Sequence, residues 1–169
     1  MYIPIILGTA REGRLSEKAA NFVKGEVESA GHKTEIIDVR DYMPGRTQEI
    51  TEKTKEYGEK IKKAEALIIV SPEYNHGYPG ELKMLLDSAY AEYAGKPLGI
   101  CGVSISPMGG CRMVEQVRLV SVELHMTPIR EAVYFSGAAT LFDENGAIKD
   151  EAYKGRVSKM LEELTSRAK

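Results

Sequence analysis

Residues 66–80 read ALIIVSPEYNHGYPG and join a short apolar run to a turn-rich loop. The run at residues 66–70 is rich in β-branched residues and bounded by turn residues, which is typical of a buried strand. The loop at residues 71–80 has no periodicity. Its two prolines, two glycines and two tyrosines give a stiff backbone with flat side chains beside it. A loop of this kind at the end of a strand suits a planar ligand.

Length, charge and cysteine content limit the class of protein. The chain has 169 residues and a formal net charge of -2, which predicts a single domain over residues 1–169 and no basic surface for nucleic acid. No apolar stretch reaches the length of a secretory signal or a membrane span, which predicts a cytoplasmic protein. Cys101 and Cys111 lack a metal-binding spacing, so neither a metal site nor a disulfide framework is expected.

Apolar runs alternate with amphipathic runs along the chain. The pattern predicts five strands, at residues 2–7, 33–39, 66–71, 98–106 and 128–134, and five helices, at residues 16–30, 49–63, 79–93, 111–125 and 151–168. Alternating strands and helices form right-handed βαβ units around a parallel sheet covered on both faces. The predicted fold is α/β, a flavodoxin-like three-layer sandwich with strand order 2-1-3-4-5, whose ligand lies after the first and third strands.

The loop after the first predicted strand, residues 8–16, reads GTAREGRLS and runs into a predicted helix. The helix N-terminus exposes unpaired N–H groups, and Thr9 and Ser16 add hydroxyls. Arg11 and Arg14 can neutralise a dianion, so the loop has the composition of a phosphate site. Its glycine spacing and the lack of a following lysine exclude the two common nucleotide motifs. The alternative is that Ser16 only caps the helix and the arginines face solvent; the position after the first strand favours the phosphate site.

Three motifs in order carry a resemblance to a known family. They are GTAREGRLS at residues 8–16, SPEYNHGYPGELK at residues 71–83 and SPMGGCR at residues 106–112. On these motifs the chain resembles the NADPH-dependent FMN reductase family, which includes quinone, azo-dye and chromate reductases. The resemblance covers almost the whole chain, and the middle motif is the most specific of the three.

The resemblance implies an FMN site built from the three motifs. The first would hold the flavin phosphate, the second the isoalloxazine ring and ribityl chain, largely through backbone groups, and the third the remaining flavin edge. Whether Arg14 or Ser16 faces the phosphate stays open. The matching residues are Thr9, Arg11, Arg14 and Ser16 in the first motif, Pro72, Glu73, Tyr74, Asn75 and Gly77 in the second, and Ser106, Gly109 and Gly110 in the third.

The resemblance also implies an oxidoreductase and a homodimer or homotetramer. In such an enzyme NADPH or NADH passes hydride to FMN, and the electrons go on to free flavin, a quinone, an azo compound or a metal oxyanion. The cofactor supplies the reactive atom, so no catalytic acid, base or nucleophile is expected, and His76 is interpreted as a positioning residue. The main alternative is a non-enzymatic flavodoxin-like electron carrier, which Arg11, Arg14 and the modest net charge disfavour. A flavin-free binding module on the same fold is the third interpretation.

Overall fold

The centre of the molecule is a parallel sheet of five strands in the order 2-1-3-4-5. The computed structural model describes residues 1–168 of the chain, and Lys169 lies outside the described part. The strand order confirms the predicted flavodoxin-like sheet. The strands are β1 (Ile5–Leu7), β2 (Ile36–Asp38), β3 (Leu67–Pro72), β4 (Pro97–Val103) and β5 (Thr127–Phe135).

Helices cover both faces of the sheet. One apolar core lies under α1 and α7, where Val23 and Val157 are fully buried, and the other lies under α3, α4 and α5, where Ile61 and Leu85 are fully buried. Within residues 1–168, no helix is both long and apolar enough to cross a membrane. The helices are α1 (Ser16–Ser29), α2 (Val39–Tyr42), α3 (Glu52–Lys63), α4 (Gly80–Leu86), α5 (Cys111–Glu123), α6 (Ala138–Leu141) and α7 (Ala152–Arg167).

The helix predicted over residues 79–93 is shorter in the structure. It ends at Leu86, and a separate 3₁₀ turn follows at Ala91–Tyr93. The Ser88 hydroxyl donates to the Leu85 carbonyl at 2.6 Å, and this local bond competes with continuation of the helix. The long amphipathic pattern therefore covers two elements with a break between them.

Among the other differences from the predicted elements, two have a local cause. The first strand begins at Ile5 rather than at residue 2, because Pro4 has no N–H to donate to a ladder. The polar loop predicted after the second strand contains the short helix α2. Its N-cap is Asp38, whose carboxylate accepts the backbone N–H of Arg40 at 3.0 Å.

The strand registers bring three loops to one edge of the sheet. Leu7 lies opposite Val70, and Pro72 lies opposite Val103. Since parallel strands present their carboxyl ends on the same side, the loops that follow β1, β3 and β4 leave the sheet next to one another.

Candidate functional site

A cavity of about 450 Å³ lies between the loops that follow β1, β3 and β4. Six of the residues predicted to bind a cofactor line it, and they come from the first two motifs. They are Arg11, Arg14, Ser16, Pro72, Glu73 and Tyr74. The predicted switch-point location therefore contains a cavity large enough for a small organic ligand.

Ser16 is the residue of the cavity whose side chain has a buried polar atom without a hydrogen-bond partner among the described residues. It is the first residue of α1 and is only 1% exposed. Its Oγ is buried and makes no hydrogen bond in residues 1–168. A buried hydroxyl without a partner is costly. Its place at the N-terminus of a 14-residue helix fits a bound anion that accepts this bond.

Arg14 lies inside the first loop and is only 6% exposed. Its guanidinium donates to both carboxylate oxygens of Asp38, to the carbonyl of Thr9 and to the carboxylate of Glu17. Burial raises the pKa of the Asp38 carboxyl, but hydrogen bonds from Arg14 and Arg40 outweigh it and hold the pKa well below its usual range. The charge of Arg14 is thus neutralised within the protein.

Arg11 differs from Arg14 in both exposure and pairing. Its side chain is exposed at the cavity, and among residues 1–168 it forms no salt bridge. Its backbone N–H donates to the Thr9 hydroxyl at 3.3 Å, and that hydroxyl lies 3.1 Å from the hydroxyl of Tyr74. Thr9 is fully buried, so it joins the first and second loops beneath the cavity and does not line it.

The second loop is closed by a tight turn. The N–H of Tyr74 donates to the carbonyl of Gly77, and the N–H of Gly77 donates to the carbonyl of Tyr74, both at 2.9 Å. Asn75 and His76 both have positive φ, 50° and 69°, as a type I′ turn requires. Gln116 anchors the turn to α5 by donating to the His76 carbonyl at 2.8 Å.

This turn limits what the second loop can offer a ligand. The N–H of Gly77 is already used within the turn, and Asn75 is exposed at its tip. His76 takes part in this turn through its backbone carbonyl. Neither Asn75 nor Gly77 lines the cavity.

Glu73 connects the second loop to α5. Its side chain is 7% exposed and forms a salt bridge with Arg112, with a 2.7 Å hydrogen bond from Nε of Arg112. The same carboxylate accepts the backbone N–H of Arg112 at 3.1 Å and that of Met113 at 3.5 Å. The N-cap of α5, Gly110, has no side chain to satisfy these groups. Glu73 therefore caps α5 from a different loop.

The glycines of the third motif pack against the sheet instead of lining the cavity. A Cβ at Gly109 would lie 2.7 Å from the Cβ of Tyr134, and one at Gly110 would lie 3.0 Å from the backbone nitrogen of Val103. Both residues have positive φ. Ser106 binds within its own loop, with its backbone N–H donating to the Ser104 hydroxyl at 3.1 Å. These residues fix the conformation of the third loop by contacts on the side away from the cavity.

Six further residues line the cavity that were not among the predicted cofactor-binding residues: Gly13 and Leu15 within the first motif, and Val103, Ser104, Ile105 and Ala138 outside the motifs. Val103, Ser104 and Ile105 lie at the carboxyl end of β4, next to β3. The rule that ligands lie beyond the carboxyl ends of parallel strands could have found these three. Ala138 follows β5 and carries no signal of its own.

Comparison with known proteins agrees with this geometry. The sequence model of the NADPH-dependent FMN reductase family matches residues 1–140. A quinone reductase of Pseudomonas putida is 28% identical over 88% of this chain and 85% of its own length. An NAD(P)H-dependent FMN reductase of Schizosaccharomyces pombe is 34% identical over 73% of this chain and 67% of its own length.

A solved structure supports the fold. FerB, a flavoenzyme NAD(P)H:(acceptor) oxidoreductase from Paracoccus denitrificans, superposes with a TM-score of 0.86 over 99% of both chains at 18% identity. At that identity the likeness concerns the fold alone. It includes α7, which lies beyond residues 1–140 matched by the family model, so the whole architecture is shared.

We predict that Glu73→Gln destabilises the protein by about 2 kcal/mol, because it removes a charged acceptor from Arg112 and from the start of α5. Urea unfolding measures this loss. Glu115→Gln is the matched control, since the Glu115 side chain is 67% exposed and its ion pair with Arg118 contributes less than about 1 kcal/mol. Equal losses in the two variants would show that Glu73 does not link the loop to the helix.

Proposed function

The chain belongs to the NADPH-dependent FMN reductase family and is an oxidoreductase, and from this premise we propose that its cavity binds FMN for a two-step transfer. In the first step a nicotinamide nucleotide, NADPH or NADH, gives up a hydride. In the second step the two electrons pass to a free flavin, a quinone, an azo compound or a metal oxyanion. Bound FMN would supply the group that accepts the hydride and then gives up the electrons.

The buried, unpartnered hydroxyl of Ser16 carries this proposal. It lines the cavity at the N-terminus of α1, where the helix dipole favours a phosphate. Arg11 supplies a positive charge at the same cavity and has no carboxylate partner among residues 1–168. Arg14 is tied to Asp38, so between the two candidates the hydroxyl of Ser16 is the better phosphate ligand. Thr9 supports the loop from beneath.

The other loops would form the wall around the ring and the ribityl chain. Pro72, Glu73 and Tyr74 line the cavity, and the turn at Asn75 and Gly77, which does not line it, would hold Tyr74 in place through the paired backbone bonds of Tyr74 and Gly77. Ser106, Gly109 and Gly110 would act by fixing the third loop, whose Ser104 and Ile105 reach the cavity. No side chain is needed as an acid or base, because these residues act by holding the reacting groups in place.

We further propose that residues 1–169 form one domain in the cytoplasm. The single sheet with an apolar core on each face supports one domain. Cys101 and Cys111 are both free thiols, which fits a reducing compartment.

We also propose that the protein is a homodimer or homotetramer. Leu119 and Val122 lie three residues apart on α5 and are 75% and 63% exposed. Tyr90 is 51% exposed, and its hydroxyl lies 3.2 Å from Nε2 of His125, just beyond α5. Large apolar side chains clustered on one face support a protein contact there.

We predict that anaerobic mixing of the FMN-loaded protein with NADPH or NADH bleaches the visible flavin absorption, and that a panel of quinones, free flavins, azo compounds and metal oxyanions restores it. Stopped-flow spectroscopy with each nicotinamide measures both steps. A flavin that binds but stays oxidised with both nicotinamides would indicate an electron carrier. A chain that gives no flavin spectrum after reconstitution would contradict both flavin functions.

We predict that Arg11→Ala weakens FMN binding more than His76→Ala does. The reason is the loss of a charge-assisted contact worth roughly 1.5–3 kcal/mol. Fluorescence titration of the flavin-free protein measures both affinities. Equal FMN affinity in wild type and Arg11→Ala would refute the phosphate assignment of Arg11.

We predict that sedimentation velocity finds a dimer or tetramer, and that Leu119→Glu shifts it toward monomer by placing a charge in the contact. Ile50→Glu is the matched control, because Ile50 is 80% exposed and precedes α3, away from α5. A wild-type monomer at all concentrations would exclude the proposed assembly. An unchanged oligomer in Leu119→Glu would exclude this face of α5.

A further inference from the structure

The guanidinium of Arg14 joins three elements from inside the first loop. It bonds to the Thr9 carbonyl at the start of the loop, to Glu17 in the first turn of α1 with Nε to Oε2 at 3.3 Å, and to Asp38 at the end of β2. The side chain of Arg14 is only 1% exposed. One buried cation thus sets the distance between both ends of the loop.

Asp38 is the main carboxylate that offsets the cost of burying the guanidinium of Arg14. Its side chain is 14% exposed, and its two oxygens face the two terminal nitrogens of Arg14, with Nη1 to Oδ1 at 2.9 Å. Glu17 is half exposed and contributes a single weaker contact. A buried guanidinium that loses its main carboxylate is strongly unfavourable and tends to move toward water. The place of Arg14 therefore depends mainly on Asp38.

The loop that Arg14 closes carries Ser16 and Arg11, the two groups that are proposed to bind the phosphate. Ser16 begins α1 one residue before Glu17, and Arg11 is held through the Thr9 hydroxyl. Thr9 also contacts Tyr74 of the second loop. A shift of Arg14 would move the hydroxyl of Ser16 and the backbone that carries Arg11, although Asp38 does not line the cavity.

We propose that Asp38 is a positioning residue for the flavin phosphate: through Arg14 it fixes the loop that presents Ser16 and Arg11. This inference rests on the proposed FMN site. This role and a direct role for Arg14 predict opposite changes in FMN affinity when the charge of Asp38 is removed. If Arg14 itself bound the phosphate, removal of the Asp38 charge would free its guanidinium, and FMN would bind as tightly or more tightly.

The test compares FMN with riboflavin, which lacks the phosphate. The full-length chain, freed of flavin, is titrated with each ligand while flavin fluorescence is followed. We expect Asp38→Asn to weaken FMN binding about tenfold, because a displaced loop loses oriented contacts, and to change riboflavin binding less than about twofold. The ratio of the two affinities separates a role in phosphate positioning from a general loss of structure.

Two further variants complete the test. Arg40→Gln is the control, because Arg40 is the 45% exposed partner of the same carboxylate, and its loss leaves the ratio unchanged within about twofold. Arg14→Lys keeps the charge, but a lysine cannot reach all three partners. The ratio of FMN affinity to riboflavin affinity therefore falls as it does in Asp38→Asn. If Asp38→Asn does not fold, as judged by thermal unfolding, Asp38→Glu replaces it: the longer side chain keeps the charge but displaces the guanidinium of Arg14, so FMN affinity falls relative to riboflavin affinity, and an unchanged ratio would overturn the inference.

Three further results would overturn the inference. Tighter or unchanged FMN binding in Asp38→Asn would make Arg14 a direct ligand. An equal loss of FMN and riboflavin affinity would reduce Asp38 to a general structural residue. A wild-type protein that binds riboflavin as tightly as FMN would remove the phosphate site itself and so contradict the proposed function, whereas the first two results leave that function intact.

Discussion

The cavity exists because β1 and β3 pair in a register that sends two loops out of the sheet side by side. Leu7 lies opposite Val70, and the N–H of Gly8 donates to the Val70 carbonyl at 2.9 Å, which continues the ladder into the first loop. A Cβ at Gly8 would lie 2.7 Å from Oγ of Ser71, closer than side chains tolerate. Only glycine allows this approach. The close approach of the first loop to the start of the second depends on it.

Buried charge is the second organising feature of this edge of the sheet. Arg14 is neutralised by Asp38, and Glu73 is neutralised by Arg112 together with the start of α5. Each pair links two elements that are far apart in the sequence. Among the cationic residues that line the cavity, Arg11 is then the one that forms no salt bridge within residues 1–168. Of the two arginines that disfavour an electron carrier, only Arg11 therefore keeps a charge that no carboxylate of the described residues neutralises.

A site of this construction suits chemistry that a cofactor carries out. The cavity is lined by backbone turns, aliphatic residues such as Leu15 and Ile105, and hydroxyls such as Ser16 and Ser104. Within the described residues no group of three or more histidine, cysteine, aspartate or glutamate side chains is arranged for a metal ion. Rigid walls that orient a bound ring, with a rim open to solvent at Ile105, fit successive use of one face by a donor and an acceptor.

The sequence by itself determined the order of strands and helices, the edge of the sheet that carries the site and the family of the chain. These follow from local signals: apolar periodicity, glycines and prolines in loops, and motifs in a fixed order. Tertiary structure alone decided which motif side chains face the cavity. Arg14 turns inward to a carboxylate 24 positions away, and Glu73 reaches an arginine 39 positions away. No local pattern encodes such pairs, because burial and charge neutralisation are settled only when distant strands come together.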